Sequence, residues 1–246
     1  MGGTAVYVYG VAAAGGQLEL PAGVEGAEVV VEESDGLAAL VSSVPDRPIR
    51  ATRKNLEAHA SVLASALSQR DPVLPMRFGI LLPDQAAVAA ELLEPSRPEL
   101  ETLLERFAGT VELELKALYP DQQAVLAEVV RADPRIAGLR GRGGYHEQLE
   151  LGELVAARLE ETRQADEALL LDRLVPLALD WRAREELPER VAAKLSFLVE
   201  RGQVAAFEKR GEELAAECHP RLQLRLDGPL PPHNFVDLAL PAGAAA

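Results

Sequence analysis

The sequence predicts an α+β protein of two domains, the second a modified ferredoxin-like βαββαβ unit with an enlarged helical first crossover. Three observations predict it. Stretches with apolar residues at three- and four-residue steps are interleaved with stretches of strict two-residue alternation. Beyond residue 110, four alternating stretches and the helical stretches between them fall in the order β, helices, β, β, α, β. Finally, 246 residues with 48% hydrophobic and 26% charged side chains suffice for one large core or two small ones.

Ala5–Val11, rich in β-branched and aromatic residues and followed by a Gly-rich turn, reads as a buried first strand. Residues 28–33 and 36–44 flank the turn cluster Ser34-Asp35-Gly36 and read as a hairpin. Pro45 and Pro48 break the chain. From Thr52 to Gln69, Leu56, Ala60, Leu63 and Leu67 recur at helical steps with Thr52 as N-cap. Residues 73–80, punctuated by Pro75 and Gly79, form an irregular or edge strand. Two helices are expected over 83–94 and 97–108, with Ser96 and Glu99 spaced as a capping box and Gly109 as the stop. The first domain is therefore set at 1–109.

The second domain, 110–227, starts with Val111, Leu113, Leu115 and Ala117 on one face and Glu112, Glu114 and Lys116 on the other. The alternation returns in Leu177, Leu179, Trp181 and Ala183, in Val191 to Val199, and in Leu222, Leu224 and Leu226. Helices over 121–132 and about 146–174 form the enlarged crossover, a helical extension spanning about 121–174. A third helix is expected over 203–218. In this topology the first and third strands are neighbours, which predicts that Lys194 pairs with Glu112 or Glu114. Residues 228–246 form a Pro-rich tail. Gly228, Pro229, Pro231 and Pro232 cannot continue a sheet ladder, and Phe235 is carried to an apolar site. Two readings apply to the tail: a clip linking the two domains, or a docking segment for another protein.

Charge and chemistry narrow the function. The chain carries 25 Lys and Arg against 39 Asp and Glu, a net charge of −14. The acid excess is the same in both halves, so no basic patch is set aside for a nucleic acid partner. No apolar run approaches the roughly 18 residues of a membrane span, and the start lacks the basic region of a signal peptide. Cys218 is the sole cysteine, which suits a reducing, cytoplasmic setting. The Gly138–Gly144 run carries Arg140 and Arg142 but lacks P-loop spacing and reads as an inter-helix loop. His59, His146, His219 and His233 form no metal-ligand pattern, and no nucleophile elbow or acid/base pair stands out. No catalytic residue, cofactor or metal ligand is nominated, and a non-enzymatic binding or assembly role is expected.

Several segments together resemble the gas vesicle protein F/L family (GvpF/GvpL). They are Tyr7-Val-Tyr-Gly10, the stretch from Gly36 to Pro45, His59 ahead of Val73-Leu-Pro-Met-Arg-Phe-Gly79, and the closing Gly228-Pro-Leu-Pro-Pro-His-Asn-Phe-Val236. They lie in the family's order and cover nearly the whole chain. The departures are His233 and Asn234, where an aromatic and a small polar residue are common, and Leu230, where a tryptophan is common. The resemblance implies an accessory or minor structural protein of gas vesicle assembly, located on the vesicle and in the cytoplasm. Its implied partners are the main gas vesicle shell protein and other accessory vesicle proteins. The alternative function is a small-molecule-sensing module built on the ferredoxin-like domain. Met76, Arg77, Phe78 and Gly79 are the candidate protein-interaction residues, because hot spots favour Arg and aromatics. The competing reading makes Phe78 core and Arg77 a partner of a carbonyl or carboxylate.

Overall fold

The structure is a computed structural model that describes residues 3–139 and 144–237. The elements in chain order are β1 (Thr4–Ala13), β2 (Val30–Ser34), β3 (Leu37–Pro45), α1 (Arg53–Gln69), β4 (Val73–Pro75), β5 (Leu81–Leu82), α2 (Gln85–Ala87), α3 (Arg97–Phe107), β6 (Thr110–Leu118), α4 (Gln122–Ala132), α5 (Pro134–Leu139), α6 (Tyr145–Leu174), β7 (Asp180–Ala183), β8 (Val191–Glu200), α7 (Val204–Cys218) and β9 (Gln223–Leu230). Helices and two antiparallel sheets are mixed. The chain divides into two compact units, residues 1–112 with 228–246, and residues 113–227.

The first unit is built on a sheet of order β2-β3-β1-β4, with β5 also on β1. Asp35 and Gly36, both at positive φ, turn β2 into β3. This is the two-residue hairpin their identities favour. The central strand β1 is buried from Ala5 to Ala12. Its register against β3 slips between Val8 and Gly10, a bulge at Tyr9. Gly10 is required there, because a Cβ would lie 2.7 Å from the Leu74 carbonyl oxygen on β4.

Thr52 caps α1 as its sequence predicts, its side chain accepting from the Asn55 backbone N–H. The buried stripe differs from the expected one. Leu56 is 44% exposed and Ala60 is exposed too, while Asn55, His59, Val62, Leu63, Ala66 and Leu67 face inward. Two polar residues hold this face because each has partners. The Asn55 side chain accepts from the Glu25 N–H at 3.1 Å and donates to the Arg50 carbonyl at 3.0 Å. The capping box at Ser96 does not form: Ser96 makes no side-chain cap bond. A π-helical turn over Val88–Leu93 runs almost directly into α3 instead.

The second unit carries the sheet β7-β8-β6-β9. Leu113, Leu115 and Ala117 of β6 pack with Leu195, Phe197 and Val199 of β8, Leu170 and Leu174 of α6, and Phe207 and Leu214 of α7. The Phe197 and Phe207 rings sit 5.1 Å apart. Lys194 pairs with Glu114 at 2.9 Å, one of the two expected partners. The expected half-buried strand over 177–183 is corrected. Only Asp180–Ala183 pairs with β8, and Leu179 and Trp181 are 57% and 37% exposed. A short edge strand with one neighbour covers little of either face, so alternation there does not give burial. Asp166, buried on α6, accepts from the Tyr119 hydroxyl at 2.6 Å and from Arg221 Nη2 at 2.9 Å. Arg221 also pairs with Glu128 of α4. The Gly-Arg run falls outside the described residues over 140–143.

Candidate functional site

Met76–Gly79 follow the edge strand β4, and both ends of this short segment are tied to β1. The Met76 N–H donates to the Tyr9 carbonyl at 2.9 Å, and the Val8 N–H to the Ile80 carbonyl at 3.1 Å. Gly79 sits at φ 100°, a conformation that favours glycine. Its N–H donates to the Tyr7 hydroxyl at 3.3 Å, which lies 2.8 Å from His59 Nδ1 on α1. Four rings close the cluster. Phe78 meets Tyr7 and His59 edge-on, with centroids 5.8 and 5.7 Å away. Tyr7 and Tyr9 are 4.8 Å apart.

Burial sets the charge state of this cluster. Burial lowers His59 to about 4, assisted by the like charge of His233, while the Met76 backbone opposes the shift. Burial raises the Tyr7 and Tyr9 hydroxyls. At neutral pH the imidazole is therefore uncharged. With Nδ1 accepting from Tyr7, the proton belongs on Nε2. A second chain runs alongside. The Val24 N–H donates to the Tyr9 hydroxyl at 2.9 Å, which lies 3.0 Å from Ser42 Oγ. Ser42 gives its own proton to the Glu28 carbonyl at 2.7 Å. Since Ser42 has one proton, Tyr9 donates to it.

The four candidate residues thus divide. Met76 is 4% exposed and belongs to the core. Phe78 is half-buried against Tyr7 and His59. Arg77 is exposed between them. The tail lies in the same unit. Pro231, Pro232 and Phe235 are buried. The Asn234 backbone N–H and side-chain amide reach the two oxygens of the buried Glu112 carboxylate at 2.9 and 2.5 Å. The expectation that Gly228 and Pro229 lie beyond the ladder is corrected: both belong to the end of β9. Among the described residues β9 is an edge strand whose only neighbour is β6, where a proline without an N–H is tolerated. Glu112 therefore bonds the tail rather than Lys194.

Sequence pattern alone assigns Tyr7, Tyr9, Ser42 and His59 no structural role. The available signal was two tyrosines on a strand too apolar to be exposed, since a buried hydroxyl needs a partner. Cys218 is buried, and burial raises its thiol, so it is not an activated nucleophile. Among the described residues no group of three His, Cys, Asp or Glu is placed to hold a metal ion. No described helix is long and apolar enough to cross a membrane. The second unit has a cavity of about 260 Å³ lined by Tyr119, Leu126, Leu159 and Arg163. That is below the roughly 300–1,000 Å³ of ordinary ligand pockets.

The helices and two antiparallel sheets define a mixed α and β protein in which Tyr7 and His59 fasten the Met76–Gly79 segment and Glu112 fastens the tail. Residues 5–237 match the sequence model of the family described as gas vesicle synthesis protein GvpL/GvpF. The chain is 39% identical over 207 residues to gas vesicle protein F of Streptomyces sp. (strain CB03234), covering 82% of this chain and 84% of that protein. It is 30% identical over 212 residues to gas vesicle protein F2 of Halobacterium salinarum, covering 85% and 80%. The crystal structure of GvpF from Anabaena sp. PCC7120 has the same fold, with a TM-score of 0.84 over 96% of this chain and 99% of that one at 23% identity. The chain belongs to the GvpL/GvpF family of gas vesicle synthesis proteins, and its role is in gas vesicles.

Proposed function

We propose that this chain is a non-enzymatic accessory or minor structural protein of gas vesicle assembly. It binds the main shell protein and other vesicle proteins, in the cytoplasm and on the vesicle. The observation that carries the reading is the family match across residues 5–237. Arg77 supports it locally: an exposed guanidinium on a segment whose neighbours are locked by β1 and α1 is a pre-organised anchor. The second unit is a modified ferredoxin-like domain, supported by the order β7-β8-β6-β9 with a helical crossover from β6 to β7. The tail from Gly228 is a clip that returns the chain to the first unit, supported by buried Phe235 and the Asn234 bonds to Glu112.

Affinity capture of the tagged chain co-expressed with the main shell protein tests the reading. Co-purification that survives moderate salt supports a largely apolar interface. Capture of no shell protein by a folded chain overturns direct shell binding.

A further inference from the structure

Among the described residues, the outer strand of the first sheet has no partner on its far side and faces a fixed wall. In the two-residue hairpin at Asp35-Gly36, Ser34 and Leu37 are the closing pair. Hydrogen-bonded pairs alternate from there, so Ser34, Glu32 and Val30 turn their backbone groups toward β3. Glu33, Val31 and the preceding Val29 turn theirs outward, and β2 is the last strand of the sheet on that side. An open slot of about 660 Å³ lies at this edge, lined by Val29, Val31 and Glu28 on one side and Leu18, Leu20 and Pro21 on the other.

The wall is held independently of any occupant. The Glu19 carbonyl accepts from Ser65 Oγ at 2.9 Å and from Gln69 Nε2 at 2.8 Å, and its N–H donates to Gln69 Oε1 at 2.9 Å, all on α1. Arg70 donates to the Ala13 and Gly16 carbonyls, each at 2.8 Å. The base of the slot is fixed by the Ser42 bond to the Glu28 carbonyl. The slot is therefore open and pre-formed, so little ordering cost is left for binding. Its apolar lining carries the Glu28 carboxylate, and Glu19 is exposed nearby, while the Glu33 carboxylate accepts from the Gly15 N–H at 3.0 Å.

We propose that this slot receives an extended segment of another protein as an added strand on β2. The segment alternates apolar residues, set against Val29, Val31, Leu18 and Leu20, with Lys or Arg facing Glu28 and Glu19. Main-chain bonds to Val29, Val31 and Glu33 give affinity, and the alternation gives specificity. The inference deepens the protein-binding reading and rests on it.

The probe is a short capped peptide of alternating valine and lysine, with a valine–glutamate peptide of equal length as control. The isotope-labelled full chain is followed by amide hydrogen exchange. At a peptide concentration about ten times Kd, the Val29, Val31 and Glu33 amides exchange about tenfold more slowly, because only the free form opens to solvent. Val31→Pro removes an outward N–H without touching the β3 ladder, and it abolishes this protection. Glu28→Lys, a surface change that leaves the fold alone, weakens binding about two- to fivefold. No protection at these amides, equal binding of the glutamate peptide, or full binding by both variants overturns the slot. Peptide protection that persists in Val31→Pro overturns the slot whatever the shell capture, which is read separately through Arg77. Peptide binding without shell capture strikes only the choice of the shell protein as partner.

Discussion

Replacing His59 with glutamine tests whether the neutral imidazole fastens the Met76–Gly79 segment. In the native chain burial holds His59 at about 4, against an ordinary value of 6.5. Between those values the unfolded chain binds a proton that the native chain refuses. His59 therefore lets full stability stand above pH 6.5, and stability is lost as the pH falls toward 4. From the two values the loss is about 2 kcal/mol at pH 5 and about 3 kcal/mol by pH 4. Glutamine keeps an acceptor for the Tyr7 hydroxyl but has no proton to gain, so His59→Gln lacks this loss. Urea unfolding at pH 7.5, 6 and 5 measures it as a difference, which cancels the carboxylates common to both chains. The stability gap between wild type and variant narrows by about 2 kcal/mol from pH 7.5 to 5, with His59→Gln the less affected. A gap that stays constant over that range refutes the buried, neutral assignment.

Three further outcomes follow from geometry. Asp166→Ala leaves the buried Tyr119 hydroxyl without its acceptor while Arg221 keeps Glu128, and costs about 1–3 kcal/mol in urea unfolding. Lys194→Ala, at the partly exposed pair with Glu114, costs about 1 kcal/mol or less in the same assay. Gly10→Ala drives a Cβ against the Leu74 carbonyl and costs about 1–3 kcal/mol, read as a lowered Tm.

Much of the local structure was legible because its causes are local. Thr52 precedes a helical run and caps it; Asp35-Gly36 has the residue types a two-residue hairpin demands; the alternation from Val111 to Leu118 is a strand with one buried face. The failures have non-local causes. Leu56 belongs to an apolar periodicity that α1 does not bury, because the inward face is set by Asn55 and His59 finding partners on distant segments. Leu179 and Trp181 alternate like a buried strand, yet β7 is an edge with one neighbour. At the candidate site, Arg77 and Phe78 were legible as an Arg–aromatic pair. The ring cluster was not, since Tyr7 and His59 are 52 positions apart and Gly79 is 72 from Tyr7. Glu112 read as the outward residue of a strand, while its partner Asn234 lies 122 positions on.

The claim at the centre of this account is that the protein acts by binding shell protein through the exposed side of the Met76–Gly79 segment. The most direct measurement is quantitative capture of co-expressed main shell protein by the wild type and by Arg77→Ala, with the Tm of each recorded. The expected result is an unchanged Tm and at least about a fivefold loss of captured shell protein, as for an interface arginine worth about 1 kcal/mol or more. Equal capture by both chains at equal Tm contradicts it.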